Sequence, residues 1–279
     1  MLSPAQIDHY QTFGFVVLPD LLGSKRTAEL RAEVDAAIRD AYAATYDERV
    51  LDGISGHYLP MASRLTPVSA SLVCDDPLLI DAAEALLEGP AIPECPEGVL
   101  YFADAGWHND DGIGVAGVKF AAYFDPLTAT NGALRLVPGS HHPDQTSRLA
   151  AYRARQMPIR NDNDAAAYQT SFPGYAAETS PGDVIAFDVH TWHAAFGGRD
   201  RLAWTIVYQR CPDTDAERDR TRRSMHDTFE QACRGFDRHR YPIWRDWLAD
   251  ADTHPRRPAV IERLRAAGVL DLPGAATGW

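Results

Sequence analysis

Residues 181–208, PGDVIAFDVHTWHAAFGGRDRLAWTIVY, hold two short apolar runs, 184–187 and 202–208, with a Gly197-Gly198 turn between them. Runs of that length, rich in Val, Ile, Phe and Trp and bounded by Gly, Pro and Asp, read as β-strands. Further runs at 99–103, 118–124 and 133–137 precede them, punctuated by turn signals such as Asn131-Gly132 and Pro138-Gly139-Ser140. Several short strands so punctuated predict an all-β sandwich or barrel between about 98 and 210.

Outside that region the periodicity changes to helical. Ser3-Pro4 reads as an N-cap followed by proline at the first helical position, with Gly14 ending the helix and 15–18 forming a short strand closed by Pro19. Leu30, Val34, Ala37 and Ile38 recur at helical spacing between about 24 and 42, and a further helix is expected over 77–87. Residues 44–70 show no clear period and are expected to form a long loop over a site. After Pro212 the chain turns helical again, with Phe229, Cys233 and Phe236 at three- to four-residue spacing, and a last helix is expected over 258–267. The expected fold is mainly β with flanking helices, a single domain over residues 1–279.

Composition narrows the function. The chain has 279 residues, 45% of them hydrophobic, enough for a substantial core. A formal net charge of −12 and a pI near 5.2 argue against nucleic acid, whose phosphates need clustered Lys and Arg. No apolar run approaches membrane-spanning length, and the start lacks the pattern of a signal peptide. Cys74, Cys95, Cys211 and Cys233 show no CxxC spacing, so neither a disulfide framework nor a zinc ribbon is expected. These features together predict a reduced, cytoplasmic protein. The tract 217–223 mixes both charge signs and reads as a solvated face.

The chemistry centres on His108-Asn109-Asp110. On a strand, alternate side chains share a face, so His108 and Asp110 can reach one point. An imidazole and a carboxylate so placed supply two ligands of the 2-His-1-carboxylate triad of iron(II) oxygenases. The same triplet, within the loop-like DAGWHNDDG, also fits a solvated loop pair. A third ligand is available from His190 or His193. An arginine on the following strand, Arg201 or Arg199, can present its fork of donors to a carboxylate.

The sequence resembles the phytanoyl-CoA dioxygenase family of iron(II)/2-oxoglutarate oxygenases. The likeness is carried by LSPAQIDHYQTFGFVVLPDLL (2–22), GWHNDD (106–111), VKFAAYFDPLTATNGALRLVPGSHH (118–142) and the stretch quoted first. It covers residues 1 to about 42 and about 98 to 210. The resemblance implies a double-stranded β-helix core, also called a jelly roll or cupin-like core. It further implies His108, Asp110 and His193 as ligands of Fe(II), with His190 the competing distal histidine. Arg201 becomes the clamp on the far carboxylate of 2-oxoglutarate, with Arg199 its competitor. Tyr101, on the strand before the proximal ligands, is expected either to hydrogen-bond 2-oxoglutarate or to be an ordinary strand aromatic. Trp107 is expected to wall the metal site, and His141 and His142 to be peripheral. By position only, His57, Tyr58 and Arg64 are candidate substrate contacts.

The implied activity uses 2-oxoglutarate and O2 to oxidise a small metabolite or natural-product intermediate, most readily by hydroxylation, with release of succinate and CO2. Desaturation or cyclisation are alternatives within the same class. Related halogenases lack the carboxylate ligand, so Asp110 argues against halogenation. A non-catalytic metal-binding β-sandwich gives no reason to keep the triad together with Arg201. A zinc hydrolase on the same ligands leaves Arg201 without a task.

Overall fold

The structure, a computed structural model, describes residues 1–47, 56–62, 65–110, 114–156, 162–233 and 253–272. Eleven described strands form two antiparallel sheets. These are β1 (Phe15–Leu18), β2 (Gly56–Pro60), β3 (Ala91–Pro93), β4 (Glu97–Tyr101), β5 (Ala105–His108), β6 (Gly117–Tyr123), β7 (Leu134–Leu136), β8 (Tyr175–Ala177), β9 (Val184–Asp188), β10 (His193–Ala195) and β11 (Arg201–Arg210). The larger sheet runs β1-β9-β6-β11-β4-β2, with β3 also on β11, and the smaller runs β5-β10-β7-β8. The two sheets form a jelly-roll core with helices packed outside it, as the sequence predicts.

The period of two decides what faces where. On β11, Leu202, Trp204, Ile206 and Tyr208 join an outer apolar core, whereas Ala203 joins a second core between the sheets. On β6, Val118, Phe120 and Ala122 face out, and Ala121 and Tyr123 face in. The outer core is closed by helices. Leu30, Val34 and Ile38 of α2 (Gly23–Ala41) recur every four residues and are fully buried in it. Below them pack α3 (Pro67–Cys74) and α4 (Pro77–Leu86). α1 (Pro4–Phe13) starts at the expected N-cap Ser3, which forms a capping box with Gln6, and ends at Gly14, whose φ of 81° suits glycine.

Two helices that the sequence reading did not anticipate, α5 (Pro143–Gln156) and α6 (Asp162–Thr170), are inserted between β7 and β8. With Trp107, Trp192 and Phe196 they build a third core on the outer face of the smaller sheet, including Tyr168 of α6 and Phe172 just after it. After β11 come α7 (Asp215–Cys233) and α8 (Arg257–Ala266). Phe236 of the expected helical repeat lies outside the described residues. Among the described residues no helix is long and apolar enough to cross a membrane.

The expected loop over 44–70 is corrected in part. Its described residues include β2, the edge strand of the larger sheet, and the first residues of α3. β2 reads GHYLP and is buried on both faces, so it shows no polar–apolar alternation. Its pairing with β4, Tyr58 opposite Val99, comes from a partner distant in the chain.

Candidate active site

β5 and β10 are neighbours in the smaller sheet, and their register sets His193 directly opposite His108. Both side chains point into the space between the sheets, their rings 4.3 Å apart. Asp110 follows two residues after His108, with Oδ1 3.6 Å from Nε2 of each histidine. That separation is too long for a hydrogen bond. It is near the ~3 Å expected of two donors at right angles on one first-row ion. The three residues offer ligand atoms all within 4.8 Å of one another.

Hydrogen bonds fix which nitrogen each ring presents. His193 Nδ1 lies 2.9 Å from the Thr191 carbonyl and His108 Nδ1 2.6 Å from the Gly106 carbonyl. A carbonyl can only accept, so each Nδ1 carries the proton and each Nε2 keeps its lone pair toward Asp110. Burial pushes the His193 imidazolium down to about 4, outweighing the attraction of Asp110, so the ring is neutral and ready to ligate. Side-chain exposure rises from 6% at His193 through 21% at Asp110 to 39% at His108, so the cluster opens on the His108 side.

Lys119, on the inward face of β6, donates from Nζ to Asp110 Oδ2 at 2.9 Å. Burial alone would raise the Asp110 carboxyl, but Lys119, His193 and His108 together hold it well below the usual carboxylate range. Burial likewise works against the Lys119 ammonium, and Asp110 and Glu97 overcome it, raising its pKa. One carboxylate oxygen is thereby tied back, and the other faces the two histidines.

Arg201 opens β11 opposite Tyr101 of β4 and is 3% exposed. It donates to the carbonyls of Gly132 at 3.0 Å and Ala103 at 2.9 Å, while its Nε is buried with no acceptor among the described residues. The guanidinium lies 5.2 Å from the Tyr101 ring centre. Gly132 (φ 104°) is packed so closely that a Cβ there would stand 2.7 Å from Arg201 Cδ. The predicted Asn131-Gly132 turn is therefore also the bed on which Arg201 lies. A buried cation bonded only to carbonyls, with a spare donor, fits an incoming carboxylate.

His108, Asp110, His193, Lys119, Tyr101 and Arg201 line one cavity of about 400 Å³ between the sheets. A family model for phytanoyl-CoA dioxygenase matches residues 10–201.

The chain belongs to the phytanoyl-CoA dioxygenase family.

Ectoine dioxygenase from Bordetella bronchiseptica is 28% identical over 154 residues, half of each chain. The chain thus spans about half the length of that relative. L-proline trans-4-hydroxylase from Streptomyces griseoviridis is 29% identical over 235 residues, 74% of this chain and 86% of that one. Among solved structures, EctD from S. alaskensis with 2-oxoglutarate and 5-hydroxyectoine superposes with a TM-score of 0.56 at 21% identity. The match covers 75% of this chain and 77% of that one. The carbocyclase SnoK from nogalamycin biosynthesis gives 0.57 at 20% identity, covering 75% and 85%. These two likenesses show the fold.

Against the family expectations, the remaining residues sort as follows. His190 turns to Asp188, its Nδ1 2.7 Å from Oδ1, and is not in the cluster. Arg199 lies between β10 and β11 and donates to the Phe102 carbonyl at 2.8 Å. Tyr101 and Tyr58 line the cavity. Burial raises the Tyr101 hydroxyl well above its ordinary pKa, so it stays a donor. Two expectations are corrected. Trp107 is on the opposite face of β5 from His108, stacked on Phe172 in the outer core, because adjacent strand residues alternate sides. His57, by the same alternation on β2, is buried outward against Tyr42 and Phe102. His141 is peripheral, its Nε2 3.2 Å from the Gln11 carbonyl. Arg64 lies outside the described residues.

Sequence reasoning missed Lys119, Glu97 and Arg153 in the cavity wall of this family member. Lys119 carried a usable signal. It is the one charge inside the apolar run VKFAAYF and shares parity with the inward Ala121 and Tyr123. Arg153 carried none, because α5 has no fully buried face to set its direction.

Proposed function

We propose that this protein is an Fe(II)- and 2-oxoglutarate-dependent dioxygenase, a single domain over residues 1–279 acting in the cytoplasm, that hydroxylates a small-molecule metabolite or natural-product intermediate. The observation that carries the reading is the convergence of two histidine Nε2 lone pairs and one Asp110 oxygen beside a buried arginine with a spare donor. The donor set of two imidazoles and one carboxylate suits iron(II) with open positions. His108, Asp110 and His193 hold the ion, and Arg201 receives the distal carboxylate of 2-oxoglutarate.

With iron, 2-oxoglutarate and O2 bound, the cofactors supply the oxidising power, yielding succinate, CO2 and a hydroxylated substrate. The chain supplies position. Lys119 keeps Asp110 Oδ2 occupied, so that a single oxygen is offered to the metal. The carbonyls of Thr191 and Gly106 lock the imidazole tautomers. Arg201 is held flat by Gly132 and Ala103 before any ligand arrives, so little order is lost on binding. Tyr101, neutral and lining the same end, is a donor for the same carboxylate. Phe187, Leu134 and Ala195 give the cavity apolar walls that exclude water.

The test is succinate formation by anaerobically iron-loaded protein given 2-oxoglutarate and then oxygen. Slow turnover without added substrate is expected, abolished in His108→Ala. No succinate from the wild type, together with no 2-oxoglutarate binding by calorimetry, overturns the assignment.

A further inference from the structure

Six charged side chains line the cavity: Glu97, Asp104, Asp110, Lys119, Arg153 and Arg201. Four have tasks. Asp110 and Lys119 are bonded to each other beside the two histidines. Asp104 accepts from the Gly197 backbone N–H at 2.9 Å and from Gln169 Nε2 at 3.2 Å, tying the loop before β11 to α6. Arg201 is assigned to 2-oxoglutarate. Glu97 and Arg153 remain, one of each sign.

Neither is satisfied by the protein. Arg153 reaches the cavity from α5, and its Nε is sealed from solvent with no acceptor among the described residues. Glu97 begins β4 on the inward face, level with Ala121 and Thr205 across β11 and β6. No hydrogen bond from a described residue reaches its carboxylate; burial raises its pKa, and Lys119, the cation whose charge opposes that rise, is engaged with Asp110. A charge that lines a narrow cavity and is left unbonded by the protein is open to a ligand that supplies its complement, and this cavity presents one anion and one cation so placed. The cavity, about 400 Å³, is at the small end of ligand sites, which run from ~300 to 1,000 Å³, and has to admit 2-oxoglutarate as well.

We propose that the substrate is a small zwitterion, an amino acid or a compound of that kind, whose carboxylate is received by Arg153 and whose cationic nitrogen is received by Glu97. This rests on the assignment of iron and 2-oxoglutarate to the other four groups. The two readers come from different layers of the protein. Glu97 belongs to the larger sheet and Arg153 to the helical insertion, so the substrate's position relative to the metal is set by the scaffold at one end and by α5 at the other.

The test uses the full chain, loaded anaerobically with iron and 2-oxoglutarate, and a panel of free α-, β- and γ-amino acids, open-chain and cyclic. Each is paired with its amide, which lacks the carboxylate, and its N-acetyl derivative, which lacks the cation. Binding is read by saturation-transfer NMR and calorimetry, and stimulation of succinate formation is read separately. At least one parent amino acid is expected to bind, with each derivative weaker by about 10- to 100-fold, the loss of one charged hydrogen bond. Arg153→Gln is expected to erase the preference over the amide while keeping that over the N-acetyl form, and Glu97→Gln to do the reverse. Each comparison is a ratio within one protein, so a variant of reduced stability still reports. The proposal is overturned if 2-oxoglutarate binds but no amino acid does. It is overturned equally if parent and derivatives bind alike, or if both variants weaken all three ligands by one factor. Failure to bind 2-oxoglutarate overturns the oxygenase reading, and this one with it.

Discussion

His108 and His193 stand directly opposite each other in the β5–β10 register, and each has its Nδ1 proton directed to the carbonyl two residues before it. The two rings are therefore delivered as a matched pair, with their Nε2 atoms facing Asp110. Replacing either by alanine is expected to lower iron affinity beyond the ~10- to 100-fold typical of losing an outer partner. Metal content after dialysis against a weak chelator measures this. Retention of stoichiometric iron by His193→Ala would point to a different ligand set.

Lys119 predicts a graded effect. Lys119→Met frees Asp110 Oδ2 and removes the cation that holds the carboxylate ionised. Iron affinity is expected to fall by ~10- to 100-fold, with Lys119→Arg recovering part of it. Competition with a fluorescent chelator reads the change. Equal affinity in all three proteins would mean that Asp110 is positioned by other contacts.

At the co-substrate end, Arg201→Met is expected to raise the Kd for 2-oxoglutarate by ~10- to 100-fold while leaving the metal content unchanged. Arg199→Met, which loses a bond to the Phe102 carbonyl, is expected to change the Kd little. Gly132→Ala should mimic Arg201→Met in part. It forces a Cβ to 2.7 Å from Arg201 Cδ and a side chain onto a φ of 104°, a strain of ~1–3 kcal/mol. Calorimetry with the three variants separates these outcomes. A larger loss in Arg199→Met than in Arg201→Met would exchange their roles.

A fourth prediction concerns stability against pH, away from the cavity. Burial pushes the Glu94 carboxyl up to about 7, against the hydrogen bonds from Gln209 and Ser224 that lower it. The folded state then holds a proton that the unfolded state releases near its ordinary value of 4.5. This contribution is full below about pH 4.5 and is lost as pH rises to about 7, on the order of 3 kcal/mol at most. Urea melts of wild type and Glu94→Gln across that window should show a fall in the former that is flattened in the latter. Parallel curves would show that Glu94 is not the titrating group.

Much of the architecture was legible in the residues because it depends on local signals. The Ser3-Pro4 helix start, the helical spacing of Leu30, Val34 and Ile38, and the short apolar run 202–208 each predict an element that the structure contains. β2 was not legible. A strand buried on both faces shows no alternation, and its pairing partner β4 is far away in the chain. The helices α5 and α6 were missed inside a region read as strands. α5 is largely exposed, and so lacks the apolar stripe that would announce it. At the site, residue type and spacing pointed to His108 and Asp110 but left His190 or His193, and Arg199 or Arg201, open. The family resemblance favoured His193 and Arg201, and the β5–β10 register is what sets His193 opposite His108. The side on which Trp107 and His57 lie needed strand register, and the reach of Arg153 needed the tertiary fold.

The β10 strand has only three residues, and its ladder to β5 shifts register between His193 and Ala195. So short and irregular a pairing contributes little hold of its own on an edge strand. With the proposed ion in place, the two strands are also joined through the metal, a bond that the unfolded chain, with His108 and His193 far apart, does not offer. Ligand binding confined to the native state stabilises it by ~2.7 kcal/mol when free ligand exceeds its Kd a hundredfold. Iron is then a fastener of the fold as well as a reagent. A cell starved of ferrous iron would carry less of the folded protein, and not only less of the active one.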